Sequence, residues 1–122
     1  MSFIIRRLSP ATMDVAQKKA QQLIDDNAVM VFSKSYCQYS RNTKSILDSF
    51  GAQYKAYELD QESDGDDIQS ALQNMTGQRT VPNIFIGKKH IGGNSDLENV
   101  KNNGKDGQSL EEMLRSVNAI KA

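Results

Sequence analysis

Apolar residues are arranged along this chain in two ways, as stripes spaced three or four positions apart and as short unbroken runs. Their order predicts nine elements. Ser9-Pro10 reads as an N-cap with proline in the first turn, and Met13, Ala16, Ala20, Leu23 and Ile24 trace one face of a first helix that ends around Asp25 to Asn27. Val29-Met30-Val31-Phe32 is a buried strand by its β-branched and aromatic content. A second helix runs from about Gln38 to Phe50 on Thr43, Ile46, Leu47 and Phe50, with Gly51 where a C-cap would sit. Tyr54 to Leu59 alternates as a second strand, and the intervening helix makes a parallel pairing with the first strand the simplest one. Ile68, Ala71, Leu72 and Met75 give a third helix closed by Gly77. Asn83 to Ile86 is a third strand, and Gly87-Lys88-Lys89 turns it into a short fourth at His90-Ile91. Asn94-Ser95-Asp96 reads as the N-cap of a short helix on Leu97 and Val100, and Lys101 to Gln108 as a loop. Ser109 with Glu112 forms a capping box for a last helix on Leu110, Met113, Leu114, Val117 and Ile120. The order α-β-α-β-α-β-β-α-α predicts an α/β fold with helices on both faces of a mixed four-stranded sheet.

Size and charge narrow the classes. With 122 residues, one domain is expected, taken as 13–122 behind a tail of 1–12. Lys plus Arg and Asp plus Glu number 15 each, so no overall field points to nucleic acid or an anionic membrane. No run is long enough for a membrane span. Phe3-Ile4-Ile5 followed by Arg6-Arg7, with no acid before Asp14, faintly suggests a mitochondrial presequence; a disordered tail is the plainer reading. A cytoplasmic location is expected, with mitochondrial or secretory compartments as alternatives.

The single cysteine excludes an internal disulfide and any zinc site built from several cysteines. Taken alone it reads as a small buried hydrophobe, but Lys34-Ser35-Tyr36-Cys37-Gln38-Tyr39-Ser40 is polar and places Cys37 at a strand-to-helix turn. There the unpaired helix N–H groups favour a thiolate, and Lys34 adds positive charge nearby. A thiolate is both a nucleophile and a metal ligand. Gly92-Gly93 lets the backbone approach a ligand or serves an ordinary turn. The acidic stretch Asp60 to Asp67 is a solvated helix start without calcium-loop spacing, and His90 reads as surface or structural.

Three motifs in register, the cysteine stretch, Thr80-Val81-Pro82 and Gly92-Gly93-Asn94-Ser95-Asp96, resemble the glutaredoxin branch of the thioredoxin fold over about Met13 to Leu114. Gly77 to Asn83 and Lys89 to Gly93 look closest to fungal members of the dithiol subfamily. The resemblance implies a four-stranded sheet flanked by about five helices, a cis bond before Pro82, and glutathione lying across the cysteine turn. It implies that Lys34 and Gln69 pair with the glycine carboxylate, that Tyr39 and Thr80 wall the groove, and that Pro82 is among the residues binding glutathione. Val81 would then hydrogen-bond the cysteinyl backbone, and Gly93, Ser95 and Asp96 would hold the γ-glutamyl end. This chain departs from the Cys-Pro-Tyr-Cys pattern at Gln38 and Ser40, so a resolving second cysteine is absent. Its Cys-x-Tyr-Ser turn resembles that of single-cysteine glutaredoxins of fungal secretory compartments, some relatives of which bind an iron–sulfur cluster.

Two functions follow from the resemblance. One is a glutathione-dependent thiol–disulfide oxidoreductase using Cys37 alone, with glutathione, glutathionylated proteins and small disulfides as partners. The other is a [2Fe-2S] carrier or sensor in which Cys37 and glutathione from each of two chains supply four thiolates, so that the protein is a monomer when free of cluster and a homodimer with it.

Overall fold

The computed structural model describes residues 8–120; the basic start Met1 to Arg7, and with it the presequence reading, lies outside the described residues. The observed order is α1 (Pro10–Asp26), β1 (Val29–Ser33), α2 (Gln38–Ser49), β2 (Lys55–Glu58), α3 (Gly65–Thr76), β3 (Asn83–Ile86), β4 (Lys89–Gly92), α4 (Asn94–Asn103) and α5 (Leu110–Ser116). The sheet runs β2-β1-β3-β4. Val31 of β1 faces Ala56 of the parallel β2 and Ile84 of the antiparallel β3, and β4 closes the sheet as a hairpin on β3. Gly87 and Lys88 both take positive φ, 56° and 69°, in the tight β3–β4 turn, whose twist matches that of the strands.

β1 is central, and all five of its residues are buried. Alternation therefore sends its apolar side chains to two cores. Val29 and Val31 join Ile84, Ile86, Ile91, Ile46, Leu47, Leu97 and Leu114 beneath α2, α4 and α5. Met30 and Phe32 join Phe85, Tyr57, Ile68, Leu72, Ala20 and Ile24 beneath α1 and α3. Because both faces of β1 are covered, its carboxyl end is a rigid platform for the turn that follows.

The Ser9 N-cap and first-turn Pro10 are as read from the sequence: Ser9 Oγ accepts the Thr12 N–H at 3.1 Å and α1 begins at Pro10, so the expected tail of 1–12 overlaps the first turn of the helix. Later helix ends differ from the sequence reading. Gly93, not Asn94, is the N-cap of α4, and the helix continues through Asn103. The last helix stops at Ser116. Asn118 takes a φ of 62°, and the Ala119 carbonyl accepts the Gln53 N–H at 2.8 Å, which draws Val117 to Ile120 off the helical path and against the segment after α2. Among the described residues no helix is long and apolar enough to cross a membrane.

Candidate active site

Where β1 ends, the chain turns tightly. The Cys37 N–H donates to the Lys34 carbonyl at 3.0 Å, and Cys37 becomes the N-cap of α2. The residue is partly buried. Burial pushes the thiol pKa up. The N–H and hydroxyl of Ser40, the N–H of Tyr39 and the charge of Arg41 together outweigh it, and the thiol lies below its ordinary value. The helix-terminus argument made from sequence is thus met. Arg41, one helical turn on, adds a positive charge that favours the thiolate, and the charge of Lys34 bears on Asp60. Ser40 stands where a second cysteine would and is fully buried, its Oγ also lying 3.5 Å from the Lys34 N–H.

The turn is held from the β2 side. Glu58 accepts Ser33 Oγ–H at 2.6 Å and pairs with Lys44 of α2 at 2.6 Å. Asp60 accepts the Ser35 N–H at 2.9 Å and the Ser35 hydroxyl as well. On the far side, Val81 and Pro82 lead into β3 through a cis peptide bond, and the Val81 carbonyl lies 3.9 Å from Cys37 Sγ. Gln78 Nε2 donates to the carbonyls of Thr80 and Pro82 at 3.1 and 3.0 Å, and buried Gln69 donates to that of Arg79 at 2.8 Å, so both amides brace this loop.

The glycine pair has a specific cause. Gly92 takes a φ of 120°, and a Cβ there would meet Asp96 Oδ2 at 2.3 Å, so only glycine lets Asp96 fold back to accept the Gly93 N–H at 2.8 Å. That contact fixes the start of α4. Asn94, buried beside it, accepts from Thr43 Oγ1 and from Asn42 Nδ2, each at 2.9 Å, while Glu98 accepts from Asn42 at 2.7 Å and from Asn94 at 3.2 Å. α2 and α4 are thereby cross-linked next to the cysteine.

Between these walls lies a groove of about 480 Å³ lined by Tyr39, Thr80, Val81, Pro82, Gly93, Asn94, Ser95 and Glu98. It brings together six residues that the resemblance assigned to glutathione, Tyr39, Thr80, Val81, Pro82, Gly93 and Ser95, and Cys37 adjoins it through Val81. Lys34, Gln69 and Asp96 are not in its lining. Asp96 is turned to Gly93, and one Gln69 donor is committed to the Arg79 carbonyl, so these two shape the groove's edges. Asn94 and Glu98 line the groove although neither was assigned to the ligand from sequence; an Asn at a helix start and a Glu one turn on carry no local mark of such a role. His90 is bonded through Nε2 to Asn83 Oδ1 at 2.8 Å and packs on Phe85, the structural part read for it. Among the described residues no group of three or more His, Cys, Asp or Glu is placed to hold a metal ion. A cluster that takes four thiolates would find one of them here, in Cys37.

An acidified thiol at a helix N-terminus, facing a cis-proline loop beside a groove, defines a thiol–disulfide site on a thioredoxin-like sheet. The family model described as Glutaredoxin matches residues 29–91. A glutaredoxin of Vernicia fordii is 49% identical over 108 residues, covering 88% of this chain and all of that protein. Glutaredoxin-C2 of Arabidopsis thaliana is 50% identical over 91 residues, 75% of this chain and 82% of that protein. Among solved structures, a buckwheat glutaredoxin–glutathione complex superposes with a TM-score of 0.85 at 47% identity, covering 93% of this chain and 100% of the other. The chain belongs to the glutaredoxin family.

Proposed function

We propose that this glutaredoxin reduces glutathionyl mixed disulfides by a route that uses one cysteine. The observation that carries the reading is the acidified Cys37 thiol set against Val81, at the edge of a groove of the size that small ligands occupy. The similar buckwheat protein is described as a glutathione complex, which supports glutathione as the groove's occupant.

In the first step the Cys37 thiolate attacks the glutathionyl sulfur of a mixed disulfide. A bond forms between Cys37 and that sulfur, the old disulfide breaks, and the substrate leaves as a thiolate that takes a proton from water. In the second step the thiolate of a free glutathione attacks the same glutathionyl sulfur. Oxidised glutathione departs, and the Cys37 thiolate is restored; the helix N–H groups and Ser40 hydroxyl that stabilise it make Cys37 a good leaving group. Buried Ser40 offers no thiol, so the mixed disulfide with glutathione persists until external glutathione resolves it. Lys34 would attract the glycine carboxylate. The Val81 peptide lies outside the β3 ladder, which begins at Asn83, and is open to the cysteinyl backbone. The first turn of α4, with Ser95, would meet the γ-glutamyl carboxylate.

The test is turnover of a glutathionylated peptide with glutathione as reductant. The intact protein is expected to turn over and Cys37→Ser to show none, with mass spectrometry finding the glutathione adduct on Cys37 of the intact protein. Turnover retained by Cys37→Ser would overturn the proposal.

A further inference from the structure

The Lys34–Cys37 turn is closed by one hydrogen bond of its own, from the Cys37 N–H to the Lys34 carbonyl. Its next strongest ties come from elsewhere. Ser35, the second residue of the turn, gives both its backbone N–H and its hydroxyl to the two oxygens of one carboxylate, that of Asp60, 25 residues on in sequence. Asp60 stands just beyond β2. It is placed by the Leu59 N–H, which donates to the Ser33 carbonyl at 2.8 Å and so extends the β1–β2 pairing up to the turn. Two residues back, Glu58 accepts the Ser33 hydroxyl alone, its other oxygen pairing with Lys44. Alternate residues of the segment leading to the cysteine are thus pinned by alternate acidic residues at the end of β2, and Lys34 lies between the two pinned serines. Asp60 is solvent-exposed, so burial does not account for a carboxylate there. The Ser35 hydroxyl, the Ser35 N–H and the charge of Lys34 draw its pKa below the ordinary carboxylate value.

We infer that Asp60 is a positioning residue for the reaction, clamping Ser35 so that the turn presents the Cys37 sulfur to the disulfide in one fixed orientation. The inference rests on the proposed transfer chemistry for its catalytic consequence. Two charge-assisted hydrogen bonds to a single turn residue remove its freedom to rotate about the strand end, and a nucleophile held in one orientation gains rate in the chemical step rather than in binding. Asp60 touches no reacting atom.

The experiment compares the intact protein with Ser35→Ala, Asp60→Asn and Asp60→Ala in two readouts, steady-state turnover of a glutathionylated peptide and amide hydrogen exchange. Asp60→Ala is expected to lower kcat by roughly threefold to tenfold, the scale of an ordinary hydrogen bond, as suits an exposed carboxylate, with KM little changed. Exchange at the Ser35 and Cys37 amides should speed up while that of β1 and α3 stays slow. Asp60→Asn keeps one acceptor oxygen and should fall between the two. Ser35→Ala alters no charge and loses only the hydroxyl tie, so its smaller drop in kcat separates geometry from the removal of a negative charge beside the thiolate. The double variant Ser35→Ala/Asp60→Ala should be no slower than Asp60→Ala alone. An unchanged kcat in folded Asp60→Ala, or a loss of protection spread evenly over the sheet, would overturn the inference. If the intact protein itself lacked turnover, the proposed function would fail, while exchange at Ser35 and Cys37 would still decide whether Asp60 holds the turn.

Discussion

On the α1/α3 face of the sheet, Ala16, Ala20 and Ile24 pack against Ile68, Ala71 and Leu72 over Phe32, Tyr57 and Phe85. Phe32 meets Tyr57 and Phe85 edge to face at centroid distances of 6.3 and 6.0 Å. On the α2/α4 face the deep layer is equally apolar, but towards Cys37 it gives way to Asn42, Thr43, Asn94 and Glu98, bonded to one another between the two helices. Apolar burial is nearly indifferent to direction, so it stabilises a fold without fixing where one atom points. Hydrogen bonds are directional and contribute less net stability, but they hold a helix end to within a fraction of an ångström. The face that carries the thiol uses the second kind of force where position matters, and the opposite face uses the first. A polar clasp does occur on the α1/α3 side, where Asp64 takes the Tyr57 hydroxyl at 2.7 Å and Lys19 at 2.5 Å, at the surface start of α3.

That contrast is open to direct attack. The largest effect on stability belongs to the apolar face: Leu72→Ala, at a fully buried position, is expected to cost about 2–5 kcal/mol in denaturant unfolding. Turnover by the fraction that remains folded should be unchanged; a large fall in its kcat would break the division between the two faces. Next comes Asn94→Ala, which strips Thr43 Oγ1 and Asn42 Nδ2 of their shared acceptor. A cost of about 1–3 kcal/mol is expected, with a drop in kcat/KM, because the α2–α4 cross-link borders the groove. Loss of stability with no change in kcat/KM would mean that the network stabilises without positioning. The smallest effect is that of Ser40→Ala. The Ser40 hydroxyl favours the thiolate, so removing it should move the pH of half-maximal alkylation of Cys37 upward. The sign follows directly: a group that stabilises the ionised form lowers the pKa, and losing it raises the pH at which the thiolate appears. A midpoint that stayed in place would assign the acidity to the backbone alone.

Much of the site was legible because its signals are local. The run Val29 to Phe32, the polar stretch around Cys37 and the stripe on Ile46 and Leu47 define a strand, a turn and a helix by their spacing alone, and a thiol at that junction follows from them. Thr80-Val81-Pro82 and the double glycine carry the family likeness, and the first three together with Gly93 line the groove. What escaped was each choice between chemically similar neighbours. Arg41 was not singled out from the sequence, and only the fold brings its charge to bear on the thiol. Gln69 was assigned to a carboxylate, and the fold spends one of its donors on the Arg79 carbonyl.

The sequence by itself determined the order of nine elements and the place of the thiol, which depend on residues within a few positions of one another, where helical and strand periods leave a readable trace. The helix between β1 and β2 implied their parallel pairing, and the residues that wall the groove came from the likeness of three motifs to a family. Tertiary structure alone decided that Asn42 meets Asn94, 52 positions away, that Ser35 is held by Asp60, and that α5 ends at Ser116 because its continuation is bonded to Gln53. Such contacts join exposed-looking polar residues of no periodicity, and they exist only once the apolar layers have brought distant segments to hydrogen-bonding distance.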